Sequence, residues 1–506
     1  MIEAFEKLAY GIQLSLEPSN LLYALIGSVL GTLVGVLPGL GPVTTIAVLL
    51  PVTYHAGSPL GAIIMLASIY YGAMYGGSTT SILLRVPGEA ASVVTCIDGH
   101  AMAKKGRAGP ALAIAAIGSF IAGTLAVCAL ALVGPIFAGF AVSFGPPEYF
   151  ALAVFGLALS ATLSGGSPVR GFCMVLAGLL LGLVGVDTLT GVERYTFGIM
   201  EISDGIDLVP MLMGLFGIGE ILHNLEDKSG SSLISSKIGR LFPSRQDWRE
   251  SSGAIGRGTV IGFFVGLIPG GGAILASLMS YALEKKISKK PEEFGHGAIA
   301  GVAGPESANN SAATASFIPL LTLGLPGNAV TAVLFAGLLI QNVQPGPLML
   351  VKSPDVFWGV IASMYVGNFM LLILNLPLVG LWVQLLRVPS WILSPAILLI
   401  AIFGTYSLRN NFADVSTLMI FGAIGYVLRK ASLDAGPLIM AFILANIMDL
   451  SLRQSLLMGD GNIAIIISRP ISGVILAVAL IVVGSQFFKY IRGGQKANAK
   501  LAEAKT

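Results

Sequence analysis

Apolar stretches long enough to cross a membrane recur along the whole chain. Clear examples lie at 21–37, 112–136, 357–386 and 471–488. Because a spanning helix needs about 20 mostly apolar residues, the hydropathy pattern predicts about ten spanning helices. We therefore expect an all-α, polytopic membrane protein.

The composition agrees with this pattern. Of the 506 residues, 55% are hydrophobic and 11% are charged, whereas soluble domains carry about 25% charged residues. The net charge of +3 comes largely from loops and the C-terminal tail. It therefore reports on membrane orientation and gives no support for nucleic-acid binding.

A pattern of glycine and proline occurs twice, at the constant spacing that separates Gly27 from Gly258. It predicts a first membrane repeat at 1–222 and a second at 254–490, with a cytoplasmic linker at 223–253 and a cytoplasmic tail at 491–506. A further Pro-Gly pair follows in each copy, with eight extra residues in the second. The matched residues are Gly27, Gly31, Gly35, Pro38, Gly39 and Gly41 with Gly258, Gly262, Gly266, Pro269, Gly270 and Gly272, then Ser78, Thr79 and Thr80 with Asn309, Asn310 and Ser311, then Pro87-Gly88 with Pro326-Gly327.

The charges of equivalent loops predict that the two repeats are inverted. Loop 284–296 carries four lysines, whereas its counterpart 51–59 is neutral; loop 103–109 is basic, whereas 341–355 has a single lysine. Cytoplasmic loops collect Lys and Arg, so equivalent loops are expected on opposite sides, as in inverted-repeat secondary transporters. The basic residues that this orientation places outside, as exceptions, are Arg409, Arg453 and Arg469.

One segment of each repeat is predicted to enter and leave the membrane on the same side. Segment 254–281 lies between two basic loops, and its apolar arms at 258–268 and 273–283 are each too short to span. We interpret it as a re-entrant helical hairpin with 269–272 as its tip, and 38–42 as the opposite tip. One long kinked helix is the alternative.

The tips and two polar runs contain the candidate binding residues. Pro-Gly runs break helices and free backbone groups, which transporters use to bind anions and coupling ions. Hydroxyl and amide donors can bind a carboxylate, and amide oxygens can bind Na⁺. The candidate substrate-binding residues are Pro38, Gly39, Gly41, Ser78, Thr79, Thr80, Ser81, Arg85, Pro269, Gly270, Gly271 and Gly272. The candidate ion-binding residues are Glu306, Asn309, Asn310 and Ser311, with Na⁺ at Asn309 and Asn310.

Each of these assignments has a structural alternative. The polar runs can form interhelical hydrogen bonds worth about 1 kcal/mol each, and the helical glycines are expected to permit close packing. Arg85 can bind a substrate carboxylate in bidentate fashion or pair with Glu89, one turn away. Glu306 can carry a proton, lie near a cation, or begin a helix at the cytoplasmic mouth.

Four segments carry a resemblance to a known family: GVLPGLGPVTTIAVLLP, YYGAMYGGSTTSILLRVPGE, GLIPGGGAILASLMSYALEKKISKKPEEFG and GPESANNSAATASFIPLLTLGLPGN. They resemble the signature segments of the large membrane subunit of tripartite tricarboxylate transporters, the TctA family, and the likeness extends over nearly the whole chain. It implies a multi-pass protein of the bacterial inner (plasma) membrane that imports a carboxylate by symport with Na⁺ or H⁺ and needs no cofactor. It also implies two partners, a periplasmic solute-binding protein and a small four-helix membrane subunit.

Two other classes of function remain as alternatives. A passive anion channel would favour a continuous polar pore, whereas broken elements near the membrane midplane suit alternating access. A membrane-embedded enzyme is less consistent with the sequence, which has no HExxH, Gly-x-Ser-x-Gly or Cys-His arrangement suited to catalysis.

The charge pattern predicts that loops 284–296 and 103–109 both lie in the cytoplasm. Single cysteines placed in either loop should resist an impermeant thiol reagent in intact spheroplasts and react after permeabilisation. Ready labelling of either loop in intact spheroplasts would contradict the inverted arrangement.

Overall fold

The computed structural model describes residues 2–37, 41–54, 56–163, 167–187, 189–226, 240–268, 270, 272–385 and 390–503. The regular structure in these ranges is helical except for a two-stranded antiparallel hairpin, β1 (Gly185–Val186) and β2 (Glu193–Arg194). The predicted all-α class is therefore confirmed.

The α-helices in chain order are α1 (Ile2–Ser15), α2 (Pro18–Val36), α3 (Pro42–Tyr54), α4 (Pro59–Leu84), α5 (Thr95–Lys104), α6 (Ala108–Ala141), α7 (Pro146–Leu163), α8 (Pro168–Gly182), α9 (Leu208–Leu212), α10 (Gly219–Glu226), α11 (Arg245–Gly266), α12 (Gly272–Ile287), α13 (Ala300–Ala315), α14 (Phe317–Leu323), α15 (Ala329–Ile340), α16 (Met349–Lys352), α17 (Pro354–Asn375), α18 (Val379–Leu385), α19 (Ser390–Arg409), α20 (Phe412–Lys430), α21 (Gly436–Met458), α22 (Ala464–Ser468) and α23 (Pro470–Glu503). Short 3₁₀-helices lie at Ala90–Val93, Met200–Ile202 and Pro291–Glu293, and a π-helical stretch at Met213–Ile218 joins α9 to α10.

Seven helices of the described residues are long and apolar enough to cross a membrane. This number is smaller than the predicted ten, because several apolar segments form helices of only 10–17 residues. The seven are Pro18–Val36, Pro59–Leu84, Ala108–Ala141, Pro354–Asn375, Phe412–Lys430, Gly436–Met458 and Pro470–Phe488.

The chain forms two compact units. The first comprises Met1–Val142 and Val209–Val427, and the second comprises Ser143–Leu208 and Leu428–Thr506. Each unit thus takes residues from both predicted repeats. The repeat boundaries rest on internal sequence similarity and stay a prediction.

Helices α4 and α13 form the interior of the first unit. Every residue from Leu60 to Leu83 in α4 and from Gly301 to Ala315 in α13 is buried. Helix α4 begins with Ser58 as its N-cap, whose hydroxyl accepts a hydrogen bond from the Gly61 N–H, followed by proline at the first helical position. A helix that is buried on all sides needs no amphipathic pattern, and so its polar residues must find partners inside the protein.

Helices α2 and α4 pack backbone against backbone. A Cβ added at Gly27, Gly31 or Gly35 would lie 2.4 Å from the carbonyl oxygen of Met65, Ile69 or Ala73, respectively. Only glycine permits so close an approach. The expected packing role of the helical glycines is confirmed here.

Helices α11 and α13 pack in the same manner. A Cβ at Gly258, Gly262 or Gly266 would lie 2.3–2.4 Å from the carbonyl oxygen of Gly304, Ala308 or Ala312. Gly258 packs on Gly304 as Gly27 packs on Met65, but the spacing along the chain from Met65 to Gly304 is eight residues longer than the spacing from Gly27 to Gly258. The eight extra residues of the predicted second repeat therefore lie between Gly266 and α13.

The helical structure is interrupted at the predicted tip in the second half of the chain. Helix α11 ends at Gly266, α12 begins at Gly272, and the two helices pack against each other. The Arg257 guanidinium in α11 donates two hydrogen bonds, of 2.8 and 2.7 Å, to the carboxylate of Glu284 in α12. These residues lie on opposite sides of the break, so the ion pair joins α11 to α12.

The three arginines that break the predicted charge rule all have acidic partners. Arg409 pairs with Asp414 in the first unit. In the second unit, Arg469 bonds to Glu148 at 2.8 Å, and Arg453 to Asp187 at 2.8 Å. Hydrogen bonds from Thr190, Leu189 and Arg453, together with the charge of Arg194, lower the pKa of Asp187 to about 2. Paired in this way, these arginines bring little net positive charge to the side on which they lie.

The glycine contacts predict that Gly262→Ala destabilises the protein. Its methyl group would lie 2.3 Å from the Ala308 carbonyl oxygen, and overpacking of this kind typically costs about 1–3 kcal/mol. The free energy of unfolding in mixed detergent micelles measures the effect.

Gly256→Ala is the matched control on the same helix, since a Cβ there would meet nothing within 4 Å. This change should be neutral or slightly stabilising because alanine favours helix by about 1 kcal/mol relative to glycine. Equal effects of the two substitutions would contradict the packing role.

Candidate substrate and cation site

The carboxylate of Glu306 lies at the centre of a polar cluster inside the first unit. Its side chain is fully buried. The Ser78 hydroxyl of α4 donates to Oε2 at 2.6 Å, and the Thr95 hydroxyl at the start of α5 donates to Oε1. The cluster thus brings together predicted site residues from the two predicted repeats. It also includes Thr95, which sequence reasoning missed because a lone threonine carries no signal.

The polar residues Asn309, Asn310 and Ser311 point to three different neighbours. Asn309 Nδ2 donates to Glu89 Oε1 at 3.0 Å, Asn310 Nδ2 to the Ser119 hydroxyl at 2.7 Å, and the Ser311 hydroxyl to the carbonyl of Thr259 at 2.7 Å. Successive residues of an α-helix are about 100° apart, so a run of three cannot face one ligand. Of these three, Asn309 alone contacts the Glu89 carboxylate.

The run in α4 diverges for the same reason. Ser78 faces Glu306, whereas the Thr80 hydroxyl donates to the carbonyl of Val36 at 2.6 Å. Ser81 donates to the hydroxyl of Ser92 at 2.8 Å. Thr79 is buried on the same helix. The hydrogen bonds of Thr80 and Ser81 are interhelical contacts of the kind that the structural alternative expected.

The sequence pattern paired Ser78 with Asn309 at the spacing that separates Gly27 from Gly258. In the structure, Gly27 packs on Met65 of α4 and Gly258 packs on Gly304 of α13, so these two helices correspond at the longer spacing from Met65 to Gly304. At this longer spacing, Asn309 corresponds to Tyr70 and not to Ser78. The matching was wrong because it carried the spacing of the first helices past the eight extra residues.

The tip of the second half touches the second Pro-Gly pair. The Gly270 N–H donates to the carbonyl of Gly327 at 2.6 Å. Gly270 and Gly272 have φ angles of +83° and +58°, a region that favours glycine. Gly41 precedes α3, where its carbonyl accepts from the Thr45 N–H. The predicted residues Pro38, Gly39, Pro269 and Gly271 lie outside the described residues.

Arg85 and Glu89 do not form the pair that sequence reasoning kept as an alternative. The Arg85 side chain is exposed, and among the described residues it makes no ion pair. Its backbone is left-handed, with φ +59°. Glu89 is buried instead, and it accepts hydrogen bonds from the Ala91 N–H at 2.6 Å and from Asn309. Sequence reasoning missed Glu89 as a site residue, although an acidic residue after a Pro-Gly pair was a signal.

A second polar region lies on the other side of α13. A small pocket is lined by Tyr71, Asn310, Thr314 and Asn368, among others. Asn368 donates to the Phe120 carbonyl and the Thr124 hydroxyl, both at 2.9 Å. The Tyr71 hydroxyl is buried with no hydrogen-bond partner among the described residues.

Buried ionisable groups within an all-helical membrane protein are typical of transporters. Comparison with known proteins agrees with this class. Residues 21–440 match the model of the tripartite tricarboxylate transporter TctA family. The chain is also similar to the uncharacterized 52.8 kDa protein of the TAR-I ttuC' 3' region of Agrobacterium vitis, at 48% identity over 95% of each chain. An uncharacterized protein of the TAR-II ttuC' 3' region of the same organism is 46% identical over 44% of this chain and 92% of its own length. No solved structure matches.

The chain belongs to the TctA family of tripartite tricarboxylate transporters. It is a multi-pass membrane component of a bacterial transporter, not an enzyme. Tripartite systems of this kind in general have TctB and TctC partners.

The contacts of Glu306 predict that Thr95→Val lowers stability by about 1–3 kcal/mol, the usual cost of leaving a buried acceptor without its donor. Thr322→Val is the matched control, because the only hydrogen bond of the buried Thr322 hydroxyl among the described residues goes to the Ile318 carbonyl of its own helix, at 2.7 Å. Unfolding in mixed micelles should show a clearly smaller loss for the control. Equal losses would contradict a special role of Thr95 at Glu306.

Proposed function

We propose that this chain carries an organic carboxylate across the inner membrane, driven by symport with Na⁺ or H⁺. A periplasmic solute-binding protein delivers the substrate, and a small four-helix membrane subunit assists. Family membership supports these partners, since the system is tripartite. The substrate is a tricarboxylate or a related acid.

The observation that carries this proposal is the fully buried Glu306 carboxylate, held by hydroxyls from α4 and α5. Ionisable groups at membrane depth are expensive and mark ion or substrate pathways. Hydroxyl, amide and carboxylate groups together suit a cation and an anionic substrate bound near one another. A cation bound there would offset part of the substrate's charge, so each ligand would strengthen binding of the other.

The helix arrangement supports inverted repeats with hairpin tips. Helix α2 ends just before the first Pro-Gly tip and α3 begins just after it. Helices α11 and α12 flank the second tip in the same way. The pairs α2–α4 and α11–α13 share their glycine contacts. Half-helix ends at such tips provide free backbone N–H groups for a carboxylate. Within this proposal the substrate contacts are Pro38, Gly39, Gly41, Ser78, Thr79, Arg85, Pro269, Gly270, Gly271 and Gly272.

Arg85 is suited to capture the substrate. Its guanidinium is exposed and has no acidic partner among the described residues. An arginine with free donors binds a carboxylate in bidentate fashion. The residue follows the last turn of α4, about two helical turns beyond Ser78 at the start of the predicted substrate run.

Uptake by the three-component system tests the proposal. Vesicles that contain the chain with both partners should accumulate radiolabelled tricarboxylates when an inward Na⁺ or H⁺ gradient is imposed. Accumulation should stop when an ionophore collapses the driving gradient.

A passive channel gives a different result. It would equilibrate the substrate without accumulation and would ignore the cation gradient. Equilibration alone would therefore replace the symport proposal with the channel.

A further inference from the structure

Glu89 caps a short helix and also accepts a hydrogen bond from a buried amide. It precedes the 3₁₀-helix Ala90–Val93, and its Oε2 accepts the Ala91 N–H at 2.6 Å. Its Oε1 accepts a hydrogen bond of 3.0 Å from Asn309 Nδ2. The side chain packs on Gly77 of α4, where a Cβ would lie 2.8 Å from Glu89 Cγ. The carboxylate is thus enclosed by α4, α13 and its own short helix.

The same contact occurs a second time in the molecule, without a charge. At the longer spacing found in the helix packing, Glu89 corresponds to Asn328 and Asn309 corresponds to Tyr70. Asn328 is the N-cap of α15, and its Oδ1 accepts the Thr331 N–H at 2.9 Å. Its Nδ2 donates to the Tyr70 hydroxyl at 3.4 Å. Glu89 thus contacts α13 through Asn309, and Asn328 contacts α4 through Tyr70. At this spacing α4 and α13 correspond to each other.

This comparison separates the charge of Glu89 from its capping role. Both caps form a reciprocal capping box, with Ser92 in one and Thr331 in the other. Asparagine and aspartate cap helices about equally well, so capping requires an acceptor oxygen and no charge. A buried carboxylate costs far more than a buried amide unless a cation pairs with it. Among the described residues no Lys or Arg pairs with Glu89.

The Asn309 amide supplies a second reason to expect a cation. Its Oδ1 is fully buried and has no hydrogen-bond partner among the described residues. Glu306 lies three residues earlier on α13, which places both side chains on one face of the helix. Carboxylate and amide oxygens are the ligands that hard cations prefer.

We propose that Glu89 and the Asn309 amide oxygen, with Glu306 one turn away, form the subsite for the coupling cation. Glu89 supplies the negative charge, and Asn309 supplies the unpaired oxygen. The cation is Na⁺, held by these oxygens, or H⁺, carried by Glu89 and donated to Asn309 Oδ1. The inference rests on the proposed cation symport and names the residues that bind its ion.

Glu89→Asn tests the subsite, because asparagine preserves the cap as Asn328 does and removes the charge. Thermal unfolding of the full chain in nanodiscs is measured against NaCl, with choline chloride keeping the ionic strength constant, and against pH. If Na⁺ is the ion, it should raise the unfolding temperature of the native protein, since a ligand that binds only the folded state stabilises it. The variant should require at least a ten-fold higher Na⁺ concentration or lose the response. If H⁺ is the ion, the pH dependence should change and Na⁺ should have no specific effect.

Two further variants keep the test decisive. Asn328→Asp puts a carboxylate at the corresponding cap, opposite Tyr70, and should leave the cation response unchanged. Asn309→Ala removes the unpaired oxygen and retains Glu89, so it should also weaken the cation response. This variant supplies the test if Glu89→Asn fails to fold. A wild-type Na⁺ and pH response in both Glu89→Asn and Asn309→Ala would overturn the subsite, as would a native protein that responds to neither cation.

Uptake measurements distinguish failure of the subsite from failure of the transport proposal. If vesicles accumulate substrate in response to a cation gradient and Glu89→Asn retains that dependence, the subsite is wrong and symport stands. If the native system shows no cation dependence in uptake, the symport proposal itself is wrong.

Discussion

Placing carboxylates inside a helical membrane protein is the constraint on which the centre of this structure depends. Glu306 and Glu89 are both buried, and each oxygen of the two groups receives a hydrogen bond from a hydroxyl, an amide or a backbone N–H. Supplying these donors requires α4, α5, α13 and the short helix after Glu89 to meet at one place. Gly77 of α4 permits part of that meeting, because a Cβ there would lie 2.8 Å from Glu89 Cγ.

Much of the architecture could be predicted from hydropathy and glycine spacing. Long spans such as α6 and α23 follow directly from continuous apolar sequence, and the glycines of α2 and α11 do make the close contacts expected of them. The number of spans was overestimated since short apolar helices such as Pro42–Tyr54 look the same in sequence as parts of longer ones. Hydropathy measures how apolar a segment is and does not report where its helix stops.

The candidate site could be predicted only in part. The sequence indicated which segments hold polar groups, and Ser78, Glu306 and Asn309 do lie in one cluster. It did not indicate side-chain direction, so Asn310, Ser311, Thr80 and Ser81 were grouped with residues that they do not face. Glu89 and Thr95 were missed because their importance comes from tertiary contacts with α13. The matching of Asn309 with Ser78 failed at an insertion whose position only the packing of α11 on α13 defines.

The glycine contacts also determine which parts can move. Helices that touch through carbonyl oxygens and glycine Cα atoms, as α2 and α4 do, have no side-chain layer between them in which to slide. Displacing one helix of either pair, α2–α4 or α11–α13, past the other would therefore bring backbone atoms into collision. Between the pairs, by contrast, α4 meets α13 through the hydroxyl of Ser78 and the carboxylate of Glu306, a contact that water or an ion can replace. Any change of conformation that opens the buried cluster would therefore separate the two pairs at this junction and leave each pair intact.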